Sequence, residues 1–280
     1  MRLDLKDMCF GYTDVKILTD IGLEINKQQF VSIIGPNGVG KSTLIHCINK
    51  ILTPTSGTVL IDGKNVTEIS LREMAKTIGY VPYKSSETFP LTVVDAVLLG
   101  RNPHAGWKTS KEDLQIVFDV LKKLEIEDLS MRRFNELSAG QRQRVMLARG
   151  LVQKPQAILL DEPTSNLDIK HQLGISRLLR NLSREEGLLV IVISHDLNIA
   201  AKYSDNIILL SEGTIYAVGT PEEVLTVENI RDVYGVECRV IPDKGVPHII
   251  LDDDSEVSRL PPDTICRGSG PECRNPETAG

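Results

Sequence analysis

The stretch GPNGVGKST, residues Gly35–Thr43, decides which fold this sequence can adopt. It fits the pattern G-x-x-x-x-G-K-[ST], and the apolar run Phe30–Ile34 just before it is typical of a buried strand. A helix is predicted to follow the loop and to stop before Thr53-Pro54, because apolar residues recur there at helical spacing: Leu44, Ile45, Ile48, Ile51 and Leu52. This order of strand, glycine-rich loop and helix predicts a phosphate-binding loop.

The residues of the loop explain how it would bind phosphate. Glycines such as Gly38 and Gly40 let successive backbone N–H groups converge on one anion, and the N-terminus of the following helix adds partial positive charge. Lys41 can reach the β- and γ-phosphates of a nucleotide, the hydroxyl of Ser42 can complete a Mg²⁺ shell, and Thr43 would sit beside the α-phosphate. The alternative is a chance glycine-rich turn, and the flanking strand and helix favour nucleotide binding over it.

The bulk composition is that of a soluble globular protein. The chain has 280 residues, 41% of them hydrophobic and 25% charged, with a formal net charge of −6. This acidic balance argues against nonspecific nucleic-acid binding, which needs phosphate-neutralising Lys and Arg. No apolar stretch approaches the length needed to cross a bilayer, and Met1–Asp4 begins no signal peptide. We therefore expect a cytosolic chain whose membrane role, if it has one, comes through a partner.

The cysteines predict free thiols. None of the five belongs to a C-x-x-C pair, and an odd count in a cytosolic protein is typical of unpaired thiols. A metal site at Cys266 and Cys273 is the alternative, although no histidine lies near them in the sequence. The five are Cys9, Cys47, Cys238, Cys266 and Cys273.

Strand and helix patterns outside the loop predict an α/β core with additions. Three stretches read as short antiparallel strands: Leu3–Phe10, Ile17–Ile25 and Gly57–Gly63. Helices are expected between about 85 and 131, one of them over Leu114–Leu124 with an apolar stripe of Leu114, Val117, Phe118, Leu121 and Leu124. Alternating strands and helices with short links then predict a mostly parallel sheet.

The C-terminal part is expected to hold a hairpin, two short helices and a further strand pair. The hairpin is predicted over Ile207–Leu210 and Ile215–Val218, and the helices over Pro221–Leu225 and Glu228–Tyr234. The strand pair is predicted over Arg239–Ile241 and His248–Leu251. Beyond it the chain is rich in Pro, Gly and charge, so we expect residues 261–280 to be a disordered tail.

A second group of candidate site residues follows two later apolar strands. Asp161-Glu162 ends the first of them, and parallel strands of such a sheet end at the edge where ligands bind. The first acid can support Mg²⁺, and the second can orient or deprotonate an attacking water. A structural acidic turn is the alternative reading. His195 ends the next strand and can contact a γ-phosphate, although a lone histidine there is often structural.

Tyr12 is the aromatic residue between the first two strands. It can stack on adenine, and packing within the turn is the equally open alternative.

Six features in this order and spacing carry a resemblance to a family. They are Tyr12, GPNGVGKST (Gly35–Thr43), LSAGQ (Leu137–Gln141), ILLDEP (Ile158–Pro163), SNLD (Ser165–Asp168) and His195. Together they resemble the ATP-binding subunits of ABC transporters over about residues 3–234. VDAVLLGRNPH (Val94–His104) and Tyr234-Gly235-Val236 are most similar to the subunits that serve importers of ferric siderophores, cobalamin and haem.

The resemblance implies a fold and its limits. The fold is α/β: a P-loop NTPase core with a mixed, mostly parallel sheet, an antiparallel β subdomain and a helical subdomain insertion. The ATP-binding cassette would span residues 1–260, with the helical insertion at about 85–150 and a C-terminal extension at about 220–260.

The resemblance also implies what the site residues do. Glu162 would be the catalytic carboxylate and His195 the switch histidine. Tyr12 would stack on adenine, and Ser42 with Asp161 would support Mg²⁺. Asp168 would lie in the loop that crosses the dimer seam. The residues implied to bind ATP in the loop of one chain and the LSAGQ segment of the other are Gly35, Pro36, Asn37, Gly38, Val39, Gly40, Lys41, Ser42, Thr43, Ser138, Ala139, Gly140 and Gln141.

Partners follow from the same resemblance. Two copies would sandwich ATP, and the dimer would act on polytopic membrane permease subunits from the cytoplasmic side as a peripheral membrane protein. An extracytoplasmic substrate-binding protein would take part indirectly, and no nucleic acid is expected. The helical insertion is the expected docking surface for the permease.

One position departs from the family pattern. Relatives usually carry glutamine just after Val-Pro, whereas Val81-Pro82 is followed here by Tyr83. A phenol offers one bulkier hydroxyl where a carboxamide offers an oxygen and donors. Two effects of Tyr83 are open: it alters hydrolysis or its coupling to transport, or it is a tolerated variant.

Two other functions of the chain are open beside the importer subunit. They are a soluble ABC protein acting on nucleic acid or ribosomes, and a regulatory module that does not hydrolyse ATP.

Overall fold

This computed structural model describes residues 1–13, 15–26, 28–83, 91–104, 110–165 and 167–252, which contain twelve strands, nine α-helices and four short 3₁₀ helices. The strands are β1 (Arg2–Tyr12), β2 (Val15–Asn26), β3 (Phe30–Ile34), β4 (Ser56–Ile61), β5 (Lys64–Asn65), β6 (Ile78–Val81), β7 (Ala157–Asp161), β8 (Leu189–Ile193), β9 (Asn206–Ser211), β10 (Thr214–Gly219), β11 (Cys238–Asp243) and β12 (Val246–Leu251). The helices are α1 (Lys41–Ile48), α2 (Leu71–Thr77), α3 (Val93–Leu98), α4 (Lys111–Lys123), α5 (Ala139–Leu151), α6 (Ile169–Glu186), α7 (Leu197–Tyr203), α8 (Pro221–Val224) and α9 (Val227–Tyr234).

A six-stranded sheet forms the centre, in the order β10-β9-β3-β8-β7-β6. The pairs β9–β3, β3–β8, β8–β7 and β7–β6 are parallel, and β10 runs antiparallel to β9. Every residue of β3, β7 and β8 is buried, as expected for strands covered on both faces. The mostly parallel sheet predicted from the sequence is therefore confirmed, and the carboxyl ends of β3, β7 and β8 meet at one edge.

Two smaller antiparallel sheets flank this centre. Strands β2-β1-β4-β5 form the first, which confirms the antiparallel strands predicted near the N-terminus. Strands β11 and β12 form the second, with Arg239 opposite Ile250 and Ile241 opposite His248, as the sequence predicts. The β9–β10 hairpin and the helices α8 and α9 also lie where they are predicted.

The helix behind the phosphate-binding loop is shorter than predicted. It ends at Ile48 rather than at Leu52. Lys50 adopts a left-handed φ of 56°, which breaks the helix, and Ile51 is 53% exposed. The apolar spacing at residues 51 and 52 therefore belongs to a turn.

The apolar stripe predicted for α4 is wrong at two of its members. Leu114 and Phe118 are exposed, whereas Val117 and Leu121 are buried together with Ile116 and Val120. The helix turns this second set toward α3 and α5, in one core with Val97 and Val145. Leu114 and Phe118 are thus left on the outer surface.

Two polar anchors fix elements that lie far apart in sequence. The guanidinium of Arg101 donates to Asp113 Oδ1 at 2.8 Å and to the carbonyl oxygen of Val152 at 3.0 Å, which joins the ends of α3, α4 and α5. The side-chain amide of Asn198 on α7 donates to the Ile249 carbonyl at 3.1 Å and accepts from the Ile249 N–H at 2.7 Å. The β11–β12 hairpin is thereby attached to the helix that follows His195.

Some predictions fall outside the described residues. These are the metal site at Cys266 and Cys273 and the tail at 261–280. Cys9, Cys47 and Cys238 are free thiols, as predicted. Within the described ranges no helix has the length and apolar character to cross a membrane.

Candidate nucleotide-binding site

The sheet brings three of the predicted site segments to one edge. The loop Gly35–Thr43 follows β3, Glu162 follows β7, and His195 lies two residues beyond the end of β8. Because β3, β8 and β7 are neighbours and parallel, these segments leave the sheet side by side. The structure thus assembles the acids, the histidine and the loop as the sequence predicts.

Two loop glycines are required by their surroundings. Gly35 has a φ of 144°, and a Cβ there would lie 2.3 Å from the carbonyl oxygen of Leu210 on β9. Gly40 has a φ of 100°, and its Cβ would meet Leu18 at 2.7 Å. Gly38 has a φ of 83° and lies on the open side of the loop, because no atom of the described residues comes within 4 Å of where its Cβ would stand. The neighbouring residues therefore leave no room for a side chain at Gly35 or Gly40, whereas the described residues leave room for one at Gly38.

Lys41 folds back across the loop. Its Nζ donates to the carbonyl oxygens of Gly35 and Pro36, each at 2.7 Å, and the residue is buried. Burial lowers the pKa of Lys41, and the nearby carboxylates of Glu162 and Asp161 oppose that shift. A cation held by neutral carbonyls inside a loop is suited to exchange them for phosphate oxygens.

Ser42 and Asp161 form the oxygen pair expected for a magnesium site. The Ser42 hydroxyl donates to Asp161 Oδ1 at 3.1 Å, and Asp161 is buried. Burial raises the pKa of Asp161, partly offset by that hydrogen bond. Within the described ranges no cluster of three or more His, Cys, Asp and Glu side chains could hold a metal ion. A hydroxyl and a carboxylate are hard oxygen donors of the kind that Mg²⁺ prefers, and Mg²⁺ usually needs only one or two protein groups because it keeps several waters.

Glu162 and His195 contact each other. Nε2 of His195 lies 2.5 Å from Glu162 Oε1. Glu162 has a left-handed φ of 49°, a conformation that is uncommon outside glycine and recurs at functional sites. The two side chains are partly exposed, so a water can reach the carboxylate. The pair has the geometry of a base held by an imidazole.

The two tyrosines of interest remain accessible. Tyr12 is 53% exposed and packs edge-on against Phe10, with ring centroids 4.9 Å apart. This contact with a residue of β1 leaves about half of Tyr12 exposed, so packing and adenine stacking are compatible. Tyr83 follows β6 and is 41% exposed.

The signature segment, Leu137–Gln141, begins α5. Ser138 is the N-cap: its hydroxyl accepts from the Gln141 N–H at 3.3 Å, while Gln141 Oε1 accepts from the Ser138 N–H at 2.9 Å. This confirms the predicted N-cap and identifies it as a capping box. Ala139 is exposed at the start of the helix and Gly140 is buried. Within the described residues, no hydrogen bond joins Ser138–Gln141 to the phosphate-binding loop of the same chain.

Sequence reasoning missed two histidines near these segments. His46 on α1 hydrogen-bonds Tyr80 at 2.9 Å, and burial raises the pKa of Tyr80 to about 12. His171 on α6 lies between Asp168 and Gly140. The N-cap pattern at Asp168, with a histidine three residues later, was the available signal for His171. No sequence signal pointed to the contact with Gly140.

A glycine-rich loop at the carboxyl edge of a parallel sheet, with Asp161-Glu162 on a nearby strand, defines a P-loop NTPase. A family model described as ABC transporter matches residues 18–165. The chain therefore belongs to the ABC transporter family, as an ATP-binding protein of the ABC ATPase type. The resemblance stated from the sequence motifs is thus confirmed.

Individual relatives agree with this assignment. An uncharacterized ABC transporter ATP-binding protein of Methanocaldococcus jannaschii is 46% identical, covering 89% of this chain and 98% of its own length. The ferric enterobactin transport ATP-binding protein FepC of Escherichia coli is 37% identical, over 89% of this chain and 93% of its own. The dimeric structure of a bacterial ABC transporter cassette matches with a TM-score of 0.70 and 33% identity, over 78% of this chain and 98% of that one.

Proposed function

We propose that this chain is the ATP-hydrolysing subunit of an importer that takes up a ferric siderophore, cobalamin or haem through a separate membrane permease. The observation that carries the enzymatic part is the assembly of Lys41, the Ser42–Asp161 pair and the Glu162–His195 pair at one edge of the sheet. Support for the importer comes from relatives at 35–37% identity over 86% of the chain, whose names refer to siderophore transport, cobalamin import and hemin import.

The residues of the site divide the work of hydrolysis. Lys41 exchanges the carbonyls of Gly35 and Pro36 for the β- and γ-phosphates. Ser42 and Asp161, which lie within hydrogen-bond distance of each other, would hold Mg²⁺, and the ion would supply positive charge near the phosphates. Glu162 orients the attacking water and accepts its proton, and His195 holds the carboxylate and reaches the γ-phosphate.

A second copy of the chain completes the site. The N-terminus of α5 presents backbone N–H groups and partial positive charge, but within the described residues it is not joined to the loop of its own chain by a hydrogen bond. A twofold dimer lets the partner's Ser138 and Gly140 contact the γ-phosphate bound at Gly35–Thr43. The dimeric structure of a related cassette supports this arrangement. ATP then closes the dimer and hydrolysis opens it.

The permease binds the helical region on the cytoplasmic side of the membrane, which makes the chain a peripheral membrane protein. Exposed apolar side chains of α4, Leu114 and Phe118, together with Leu99 after α3, support a protein partner on this surface. An extracytoplasmic substrate-binding protein acts on the other side of the permease. The permease and the binding protein, rather than this chain, select the cargo.

The test of the nucleotide-dependent dimer is Glu162→Gln. This variant keeps the shape of the side chain and removes the base, so we expect ATPase activity to fall at least ~100-fold, within the range of general-base catalysis. With Mg-ATP it should run as a dimer in size-exclusion chromatography and retain two nucleotides per dimer. Glu212→Gln is a matched control, because Glu212 also has a φ of 49° but lies in the β9–β10 turn. A Glu162→Gln variant that stays monomeric without retained nucleotide contradicts the proposal.

The test of the importer is reconstitution in proteoliposomes with the permease encoded beside this chain and its binding protein. We expect one of the three cargo classes, presented by the binding protein, to raise ATPase activity. The cargo assignment is refuted if a ligand of another class stimulates hydrolysis and these three do not.

A further inference from the structure

The imidazole of His171 is fixed on one side by Asp168. Nδ1 of His171 lies 2.7 Å from Asp168 Oδ2, and the backbone N–H of His171 donates to Asp168 Oδ1 at 2.9 Å. A carboxylate only accepts hydrogen bonds, so Nδ1 carries the proton and donates. Asp168 thus uses both oxygens on one residue: one caps α6 and the other orients the ring.

The other edge of the same ring covers Gly140. A Cβ built on Gly140 would lie 2.7 Å from His171 Cδ2 and 3.2 Å from Nε2. The glycine is buried at the start of α5, two residues after the N-cap Ser138. The ring therefore lies against the backbone of the signature segment at a distance that only glycine allows.

The neighbouring residue strengthens this connection. The side-chain amide of Gln172 donates to the carbonyl oxygens of Thr164 at 3.2 Å and Leu167 at 3.0 Å. Two carbonyl groups between Glu162 and Asp168 are thus hydrogen-bonded to the first turn of α6. The contact of His171 with Gly140 connects the same turn of α6 to α5.

We infer that His171 is a positioning residue that sets the distance between Asp168 and the N-terminus of α5. The inference rests on the proposed function, in which the N-terminus of α5 faces the ATP held by a second copy and the loop with Asp168 crosses the dimer seam, as the family resemblance implies. If the ring connects them, they approach the partner's nucleotide as one unit. Orientation errors of about 1 Å cost on the order of 100-fold in rate, so a side chain that fixes this spacing affects turnover without touching substrate.

Two substitutions separate the two contacts of the ring. His171→Asn retains an N–H donor near the position of Nδ1 and removes the ring from Gly140. His171→Phe retains the ring and removes the donor to Asp168. His171→Ala removes both. Lys170→Ala is the control, because Lys170 is the exposed neighbour on the same turn of α6.

The first experiment measures turnover and nucleotide trapping. We expect His171→Ala to lower kcat about tenfold, while the affinity of the monomer for ATP stays unchanged because the phosphate-binding loop lies on other elements. In the Glu162→Gln background it should raise the ATP concentration needed for dimerisation by a similar factor. His171→Asn and His171→Phe should each show part of this loss. Wild-type kcat and trapping in all three variants overturn the inference.

The second experiment does not depend on the dimer. Amide hydrogen exchange of the nucleotide-free full-length protein should be faster at residues 139–142 in His171→Ala and His171→Asn, which both remove the ring from Gly140, than in Lys170→Ala. Exchange elsewhere, including 41–48, should stay unchanged, which also reports that the variants are folded. Unchanged exchange at 139–142 overturns the inference. If Glu162→Gln fails to trap ATP while exchange responds as expected, the proposed function fails and the His171 contact stands.

Discussion

Replacing Gly35 by alanine tests how rigidly the phosphate-binding loop is held. The backbone of Gly35 has a φ of 144°, which costs an L-residue about 1–3 kcal/mol. The new Cβ would also lie 2.3 Å from the Leu210 carbonyl oxygen. That carbonyl belongs to β9, which is paired on both sides with β3 and β10, so it cannot move away freely. Overpacking of this kind adds about 1–3 kcal/mol. We therefore expect a total destabilisation of about 4 kcal/mol.

Gly38→Ala in the same loop is the matched control. Gly38 has a φ of 83°, but no atom of the described part of the chain lies within 4 Å of the added Cβ, so only the backbone strain of about 1–2 kcal/mol applies. The difference between the two variants is about 2–3 kcal/mol. For a chain of this size it corresponds to roughly 4–12 °C in the midpoint of thermal unfolding.

The assay is thermal unfolding of both variants without nucleotide, followed by titration with a fluorescent ATP analogue. Gly35→Ala should unfold at the lower temperature and bind nucleotide more weakly, because the carbonyls that hold Lys41 shift with residue 35. Unfolding midpoints within about 2 °C of each other would refute the claim that Leu210 fixes the loop.

Three further predictions concern other contacts. Asp113→Asn should cost about 2–4 kcal/mol at pH 7, because hydrogen bonds from Arg101 lower the pKa of Asp113 to about 2 and the buried guanidinium loses its partner. This contribution is present above about pH 4 and is lost as the pH falls toward 2. The free energies of unfolding of wild type and variant, measured in urea, should therefore converge toward pH 2. A difference that stays constant with pH would contradict the assignment. Ser138→Ala and Ser70→Ala each remove a capping box, so each should lower the free energy of unfolding in urea by about 1 kcal/mol. Only Ser138→Ala should weaken the trapping of ATP in the Glu162→Gln background. Equal trapping in both variants would argue against the role of α5. If the phenol alters the position of water, Tyr83→Gln should change the ATPase rate with the permease present by about tenfold, less than the ~100-fold or more that a positioned acid or base contributes. Equal rates would mark Tyr83 as a tolerated variant.

The sequence predicted most of what depends on local pattern. The loop at Gly35, the buried strands and the N-cap at Ser138 are each encoded by neighbouring residues, through periodicity and capping. The placement of Glu162 and His195 at the same edge as the loop was also predictable, because parallel strands fix which ends meet. The β11–β12 pair followed from two short apolar runs separated by a turn.

What the sequence did not predict depends on contacts between distant segments. The face of α4 is chosen by α3 and α5, which is why Leu114 and Phe118 are outside although their spacing fits a stripe. Helix α1 ends near Lys50, which has a left-handed φ. A glycine is the usual sequence signal for such a conformation, and none stands at this position. The ring of His171 lies over Gly140, which is 31 residues away in sequence and on another helix, so no local rule could find this contact.

The attachment of Asn198 to Ile249 has a consequence for solubility. A two-stranded ribbon exposes unpaired N–H and C=O groups along its outer edges, and such edges recruit strands from other molecules. The side-chain amide of Asn198 on α7 bonds both the N–H and the carbonyl oxygen of Ile249 on β12, as a residue of a neighbouring strand would. Aspartate lacks the donor, and glutamine is longer by one methylene. Either exchange would open that edge, and we expect it to appear first as concentration-dependent self-association rather than as a loss of folded protein.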